Sequence, residues 1–172
     1  MKRPSIEPQI IGKYVIAILR VCPDADINRK ILNKLGLKKI EPTVWYSQIT
    51  FLKFFMQLLK EKGEDYLYET GKKLISETQL PPNVVDFQSA VSSLDLGYTI
   101  AHRNQSGAMF GQKNFNEFQL EVVAANPYPC PFDWGLLQEL LNKYSPGAVL
   151  SHDFSKGCRL DGDHACHFTV TF

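Results

Sequence analysis

Cysteine residues near the C-terminus are the side chains of this sequence best placed to do chemistry. Cys158 and Cys166 are separated by seven residues, and the segment between them contains the turn-forming run Asp161-Gly162-Asp163. A hairpin of this kind brings two cysteines close enough to bind one metal ion. Cys130, in a proline-rich loop upstream, can supply a third thiolate. The three thiols therefore indicate a candidate structural zinc site.

A fourth ligand is required because structural zinc sites bind four nitrogen or sulfur ligands. His152, His164 and His167 are the histidines near the hairpin. His167 directly follows Cys166, so in a strand the two side chains point to opposite faces, and His152 is the first choice. Two other interpretations of the cysteines stay open: small buried apolar side chains, and a disulfide between Cys158 and Cys166.

The composition is that of an ordinary globular chain. The 172 residues are 44% hydrophobic and carry a formal net charge of +1, which predicts no electrostatic attraction to nucleic acid. No apolar run reaches the roughly 18 residues that span a bilayer, and the N-terminal residues do not form a signal-peptide pattern. We therefore expect a soluble cytoplasmic protein with reduced thiols that binds neither nucleic acid nor membranes.

Motifs for catalysis are missing from the sequence. The run Ser151-His152-Asp153 has the residue types of a hydrolase triad, but sequence neighbours do not usually reach triad geometry. The sequence has no glycine-rich phosphate loop and no His-Glu-x-x-His motif. We predict that the chain is not an enzyme.

Hydrophobic periodicity predicts helices first and a small antiparallel sheet afterwards. The predicted helices cover residues 9–21, 24–35, 45–62 and 64–78, a fifth that starts at 86 and contains His102, and a sixth that starts at 133. The predicted strands cover residues 118–122, 148–150 and 167–172. Helices packed on a small sheet with one crossing helix make an α+β fold, and the length predicts a single domain, residues 1–172.

The cysteine and glycine spacing of the tail resembles the 4-vinyl-reductase domain, a hydrocarbon-binding module related in fold to subunits of the TRAPP vesicle-tethering complex. The residues that carry the resemblance are Cys130, Cys158, Gly162-Asp163, Cys166 and Phe168. It covers residues 45–172 and leaves residues 1–44 as an N-terminal helical extension. The resemblance implies a TRAPP-like fold.

Zinc binding is also implied by this resemblance. Phenol-sensing members of the family hold zinc with three cysteines and a glutamate, and Cys130, Cys158 and Cys166 match the three cysteines in order. At the position of the glutamate this chain has Ser155, a poor zinc ligand, so His152 is predicted to replace it.

The resemblance further implies a pocket for a small apolar or aromatic ligand. Candidate ligand-binding residues, chosen by helical face and family position, are Phe55, Tyr98, His102, Phe110 and Trp134. The fold relatives imply a homodimer, and the broad apolar stripe of helix 45–62 agrees with this. The apolar set of that stripe is Trp45, Ile49, Leu52, Phe55, Met56 and Leu59, broadened by Phe51, Phe54 and Leu58. We therefore predict a non-enzymatic sensor domain that binds such a ligand, contains a structural zinc ion and signals to a partner protein.

Two other functions remain as alternatives. The Leu94-Asp95…His102 segment in a helix-rich half of the chain is compatible with a haem-based gas or redox sensor in which His102 is the axial ligand. The sequence contains no Tyr-x-Ser-x-Arg run to hold haem propionates, and His102 has an ordinary alternative as a hydrogen-bonded core histidine. The other alternative is a scaffold subunit without a ligand.

Overall fold

Six α-helices and two antiparallel sheets make up the part of the chain that the computed structural model describes, residues 7–172. The helices are α1 Gly12–Val21, α2 Ala25–Lys34, α3 Gln48–Lys62, α4 Glu64–Ser76, α5 Phe87–Ala101 and α6 Cys130–Tyr144. The strands are β1 Gln9–Ile11, β2 Trp45–Ser47, β3 His102–Arg103, β4 Phe110–Asn116, β5 Gln119–Ala124, β6 Val149–His152 and β7 Cys166–Thr171. The predicted α+β class is confirmed.

A three-stranded sheet in the order β2-β1-β3 joins the N-terminal segment to the middle of the chain. The sequence predicted a helix from residue 9, but β1 occupies residues 9–11 and α1 begins at Gly12. Gly12 donates its backbone N–H to the carbonyl oxygen of Val44, and a Cβ at Gly12 would overlap the carbonyl oxygen of Glu41. Pairing with distant strands therefore overrides the local helical pattern. The division into residues 1–44 and 45–172 stays a prediction.

A second, four-stranded sheet in the order β4-β5-β7-β6 forms the C-terminal half, with every neighbouring pair antiparallel. Leu120, Val122, Phe168 and Val170 alternate along β5 and β7 with outward residues and are buried. The sequence located β5, β6 and β7 of this sheet to within a few residues, and it did not predict β4. It predicted one sheet, and the structure contains two.

Helix α3 packs with one part of the broad apolar stripe that the sequence predicted. The inward side chains are Phe51, Phe54, Phe55 and Leu58, all essentially inaccessible to solvent. Ile49 and Met56 belonged to the predicted apolar set, and both are about half exposed. The prediction was wrong for these two residues because the stripe is broad enough to allow several orientations, and packing selects one of them.

Helices α4 and α6 cross with their backbones in contact at two glycines. A Cβ on Gly71 of α4 would overlap the carbonyl oxygen of Phe132, and a Cβ on Gly135 of α6 would overlap the carbonyl oxygen of Tyr68. The lack of a side chain at Gly71 and at Gly135 allows the two helices to approach this closely. This crossing holds the first turns of α6 against α4.

Helix α6 begins three residues earlier than predicted. The sequence placed Asp133 as the N-cap, but the helix starts at Cys130 and contains Pro131 in its first turn. Asp133 lies inside the helix and is 1% exposed. Its carboxylate is therefore a buried charged group rather than a cap. Across residues 7–172, none of the helices has the length and apolar character needed to cross a membrane.

Candidate functional site: a cavity and a cysteine cluster

A cavity of about 490 Å³ lies among α1, α4, α5 and the start of α6. Its walls are mostly apolar and include Ile18, Ile75, Leu94 and Phe110. Within the described part of the chain, no lysine or arginine lines it. Water-excluding cavities of this size bind small molecules or prosthetic groups, which a few polar side chains then orient.

His102 is the titratable imidazole in the cavity wall. Its Nδ1 lies 2.9 Å from the carbonyl oxygen of Tyr98, and its Nε2 lies 2.7 Å from the hydroxyl oxygen of Tyr128. Because a carbonyl oxygen only accepts hydrogen bonds, Nδ1 carries the hydrogen, and Nε2 accepts a hydrogen bond from Tyr128. Burial lowers the pKa of His102 to about 4. The imidazole is therefore neutral near pH 7, with its lone pair on Nε2.

Tyr98 holds His102 from one side. The two rings stack with centroids 3.8 Å apart, and Gln48 donates a hydrogen bond to the Tyr98 hydroxyl at 2.6 Å. Gln105 in turn donates to the side-chain oxygen of Gln48. Burial raises the pKa of Tyr98 to about 12, so its phenol stays protonated at physiological pH. This chain of hydrogen bonds orients the polar side of the cavity.

The structure brings together three of the five predicted ligand-binding residues. Tyr98, His102 and Phe110 line the cavity. Phe55 lies in the aromatic core instead, and Trp134 packs toward the four-stranded sheet. Neither Phe55 nor Trp134 contributes to the cavity wall.

A buried ion pair backs the wall of the cavity beside α6. Arg159 donates from its guanidinium group to the carboxylate of Asp133 and to both oxygens of Asn126, and Asn126 donates to Asp133 at 2.8 Å. Asn126 and Asp133 line the cavity. Although burial opposes the charge on Arg159, the adjacent Asp133 carboxylate holds its pKa above the ordinary value. The pair is hydrogen-bonded on both sides, as buried charges require.

The cysteine cluster lies on the other side of Arg159. Cys130, His152, Cys158 and Cys166 are all buried, and their possible ligand atoms lie within 4.8 Å of one another. The Sγ atoms of Cys158 and Cys166 are 3.9 Å apart, and all four cysteines of the chain are free thiols. The structure thus brings together the four residues that the sequence predicted as metal ligands.

Arg159 also contacts this cluster. Its backbone N–H and its Nε–H both donate to the Sγ atom of Cys166, each at 3.3 Å. A hydrogen bond from the Cys130 thiol, together with those from Arg159, lowers the pKa of Cys166 to about 4. The same contact with the Cys166 thiolate raises the pKa of Cys130, and burial of the Cys130 thiol raises it further. Burial also raises the pKa of Cys158.

The other candidate ligands of the cluster lie elsewhere. His164 is exposed, and Nδ1 of His167 lies 3.1 Å from the carboxylate of Glu121 on the outer face of the sheet. Ser155, at the position of the family glutamate, is exposed and donates its hydroxyl hydrogen to Asp153.

Two residues of the site were missed by the sequence-based reasoning. Tyr128 lies in the loop that precedes α6, where a tyrosine between Pro127 and Pro129 was the available signal. Arg159 directly follows Cys158, and nothing in its sequence context indicated a buried charge.

At the level of sequence, neither a protein family nor a curated protein matches the chain. The fold is similar to solved structures of H-NOX (haem nitric oxide/oxygen binding) domains. An H-NOX protein from S. oneidensis in the Fe(II)NO ligation state is 14% identical, with a TM-score of 0.71, over 94% of this chain and 98% of that one. A structure described as modulating haem redox potential through porphyrin distortion is 13% identical, with a TM-score of 0.67, over 95% and 100% of the two chains.

This likeness corrects the predicted family. The matching structures are H-NOX domains, and the 4-vinyl-reductase and TRAPP assignment is not supported. The resemblance rested on cysteine and glycine spacing in the tail. Such spacing reflects a local hairpin, which unrelated folds can contain.

The predicted function and cofactor are corrected as well. The 4-vinyl-reductase resemblance predicted a sensor of apolar or aromatic ligands. This prediction is wrong because the matching structures are H-NOX domains. Zinc was predicted as the cofactor, whereas the structurally similar proteins are described with haem and with ligated Fe(II). The haem-based alternative agrees better with the matching structures. At these low identities the likeness shows the fold alone, and this chain has the fold of the H-NOX domains.

Proposed function

We propose that this chain is a haem-based gas or redox sensor domain in which His102 is the axial ligand of the iron. The observation that carries the proposal is the buried, neutral His102 in the wall of an apolar cavity, within a fold shared with H-NOX domains. The solved H-NOX structures carry iron-bound NO in one case and CO in another. The proposed role is binding and signalling rather than catalysis.

The donor set fits the axial position of a haem. A histidine that ligates a metal commonly donates its other ring N–H to a backbone carbonyl, which fixes the tautomer and the ring orientation. The Nδ1–H of His102 already makes such a hydrogen bond, to the Tyr98 carbonyl oxygen. The mostly apolar walls fit the porphyrin ring, and when bound the haem would supply an iron that coordinates a diatomic gas.

The described cavity wall contains no cationic side chain that could bind the two propionate groups of a haem. Arg159 behind the wall is committed to Asp133. Propionates would therefore find no buried cation as a partner in this cavity. The proposal rests on the axial imidazole and on the mostly apolar walls of the cavity.

Reconstitution with hemin tests the proposal. We expect the purified protein to bind about one equivalent of haem with a Soret band, and His102→Leu to lose most of the binding because the imidazole is replaced by an apolar group of similar size. His164→Leu is the matched control, since that histidine is exposed. Circular dichroism checks that both variants are folded. A wild-type protein without a Soret band, or equal binding by His102→Leu, would contradict the proposal.

The output of such a sensor requires a partner. We propose that a small gas molecule is the ligand and that a signalling protein receives the response, as an extension of the haem proposal. The homodimer expected from the sequence stays a prediction.

We propose separately that Cys130, His152, Cys158 and Cys166 form a metal-binding site. The proposal is supported by the mutual distances of their ligand atoms and by the burial of all four side chains. Three thiol ligands and one imidazole select late transition-metal ions over magnesium or calcium.

Elemental analysis of protein purified under reducing conditions tests this site. We expect about one equivalent of a transition metal in the wild type and less than about a fifth of an equivalent in Cys158→Ser. Cys22→Ser is the control, because Cys22 is a buried cysteine outside the cluster. Metal content that is negligible in the wild type, or unchanged in Cys158→Ser, would overturn the assignment.

A further inference from the structure

The coordinating nitrogen of His102 is already occupied by a protein group. The Tyr128 hydroxyl oxygen lies 2.7 Å from Nε2, which carries the lone pair because Nδ1 is protonated. Burial raises the pKa of Tyr128 well above that of an exposed tyrosine, so the phenol remains a hydrogen-bond donor. A metal ion at Nε2 needs the same lone pair that the Tyr128 O–H uses.

The position of the Tyr128 ring is fixed by its surroundings. The residue is 5% exposed, and its backbone N–H donates to Asn126 at 2.9 Å. Its ring packs edge-on against Phe55, with centroids 5.2 Å apart, and against Phe51. A tyrosine held in this way keeps its hydroxyl at Nε2 in the ligand-free protein, and its ring must shift within the aromatic core before a metal can reach that nitrogen.

We infer that Tyr128 is a positioning residue that holds the Nε2 lone pair of His102 in the ligand-free protein and thereby sets the affinity of His102 for an iron ligand. This inference rests on the proposed haem function. It adds that the ligand-free site is closed by a hydrogen bond, which must be broken before His102 can coordinate. Removal of the hydroxyl is then expected to tighten coordination.

The hydrogen bond itself is tested without haem, by ¹⁵N NMR of the histidine side chains in the ligand-free protein. We expect His102 to show a protonated Nδ1 and an unprotonated, hydrogen-bonded Nε2. In Tyr128→Phe the Nε2 resonance should shift downfield toward the value of a free lone pair, while the tautomer stays the same. A protonated Nε2 in the wild type, or an unchanged Nε2 resonance in the variant, would overturn the inference.

The consequence for affinity is tested by hemin titration of the same two proteins. The wild type must break a buried neutral hydrogen bond before His102 can coordinate, and Tyr128→Phe has no such bond to break. We therefore expect Tyr128→Phe to bind hemin about fivefold more tightly than the wild type. Tyr144→Phe is the matched control, because Tyr144 lies at the end of α6 and outside the cavity wall. Its affinity should equal that of the wild type. Equal or weaker binding by Tyr128→Phe would contradict the role assigned to Tyr128.

The two experiments separate this inference from the haem proposal. If neither protein binds hemin, the haem proposal fails together with the role of Tyr128 in affinity, and the NMR result then identifies His102 as a hydrogen-bonded core histidine. If only Tyr128→Phe binds hemin, the haem proposal fails for the wild type, and the role of Tyr128 in closing the Nε2 site of His102 is supported. If both bind equally, the haem proposal stands and the role of Tyr128 is overturned.

Discussion

Replacing Gly135 with alanine is expected to lower the free energy of unfolding by about 3 kcal/mol or more. The new Cβ would overlap the carbonyl oxygen of Tyr68, a backbone atom of α4 that no rotamer change can move. Overpacking a well-packed interior typically costs about 1–3 kcal/mol, and a clash between two helix backbones lies at the upper end or above it. Gly71→Ala should have a similar effect because its Cβ would overlap the carbonyl oxygen of Phe132.

The measurement is urea unfolding of the variants at constant pH. Gly97→Ala is the matched control, since Gly97 also lies within a helix but an added Cβ there meets no atom within 4 Å. That control should be neutral or stabilised by up to about 1 kcal/mol, the helix-propensity difference between alanine and glycine. If Gly135→Ala were as stable as Gly97→Ala, the backbone contact between α4 and α6 would not exist in solution.

Replacing Arg159 with methionine is expected to destabilise the fold by about 3–5 kcal/mol. Arg159 and Asp133 form an ion pair in which the two side chains are 8% and 1% exposed. Removing one partner of a buried pair leaves an uncompensated buried charge, which is the costly case. The loss also removes the donors to Asn126 and Cys166.

Two comparisons isolate the charge effect. The double variant Arg159→Met/Asp133→Asn should recover a large part of the loss, because no unpaired carboxylate remains. Arg29→Met removes an exposed pair with Asp26, whose side chains are 75% and 88% exposed, and should change stability by less than about 0.5 kcal/mol. Unfolding is measured with a reducing agent and a chelator so that the cysteine cluster is in one state. Equal stability of Arg159→Met and Arg29→Met would contradict the buried pair.

The six helices and three strands of the C-terminal sheet could be predicted from the sequence because they depend on local patterns. Asp24 and Asp86 cap α2 and α5 through side-chain hydrogen bonds, as their positions before apolar periodic segments suggested. Gly63 ends α3 with a positive φ of 85°, as the pattern indicated. These signals act within a few residues, so no tertiary information was required.

The first sheet and the start of α6 could not be predicted in this way. Residues 9–11 have helical periodicity but become a strand because they pair with residues 45–47 and 102–103. Asp133 looks like a helix cap because it precedes apolar residues, yet its charge is held inside the fold by Arg159, 26 residues later. Long-range pairing decided both, and local patterns carry no information about it.

The residues of the candidate site also fall into two groups: those that the sequence identified and those that only the tertiary structure revealed. The sequence alone identified the four residues of the cysteine cluster and singled out His102, because those residue types are rare and their chemistry is distinctive. It also supplied a family resemblance that was wrong, because a cysteine hairpin is a local feature shared by different folds. Only the tertiary structure revealed the likeness to H-NOX domains, the cavity, and Tyr128 and Arg159 as the partners of His102 and Cys166. The physical reason is that the protonation and availability of a buried donor are determined by the groups folded against it, and these are distant in sequence.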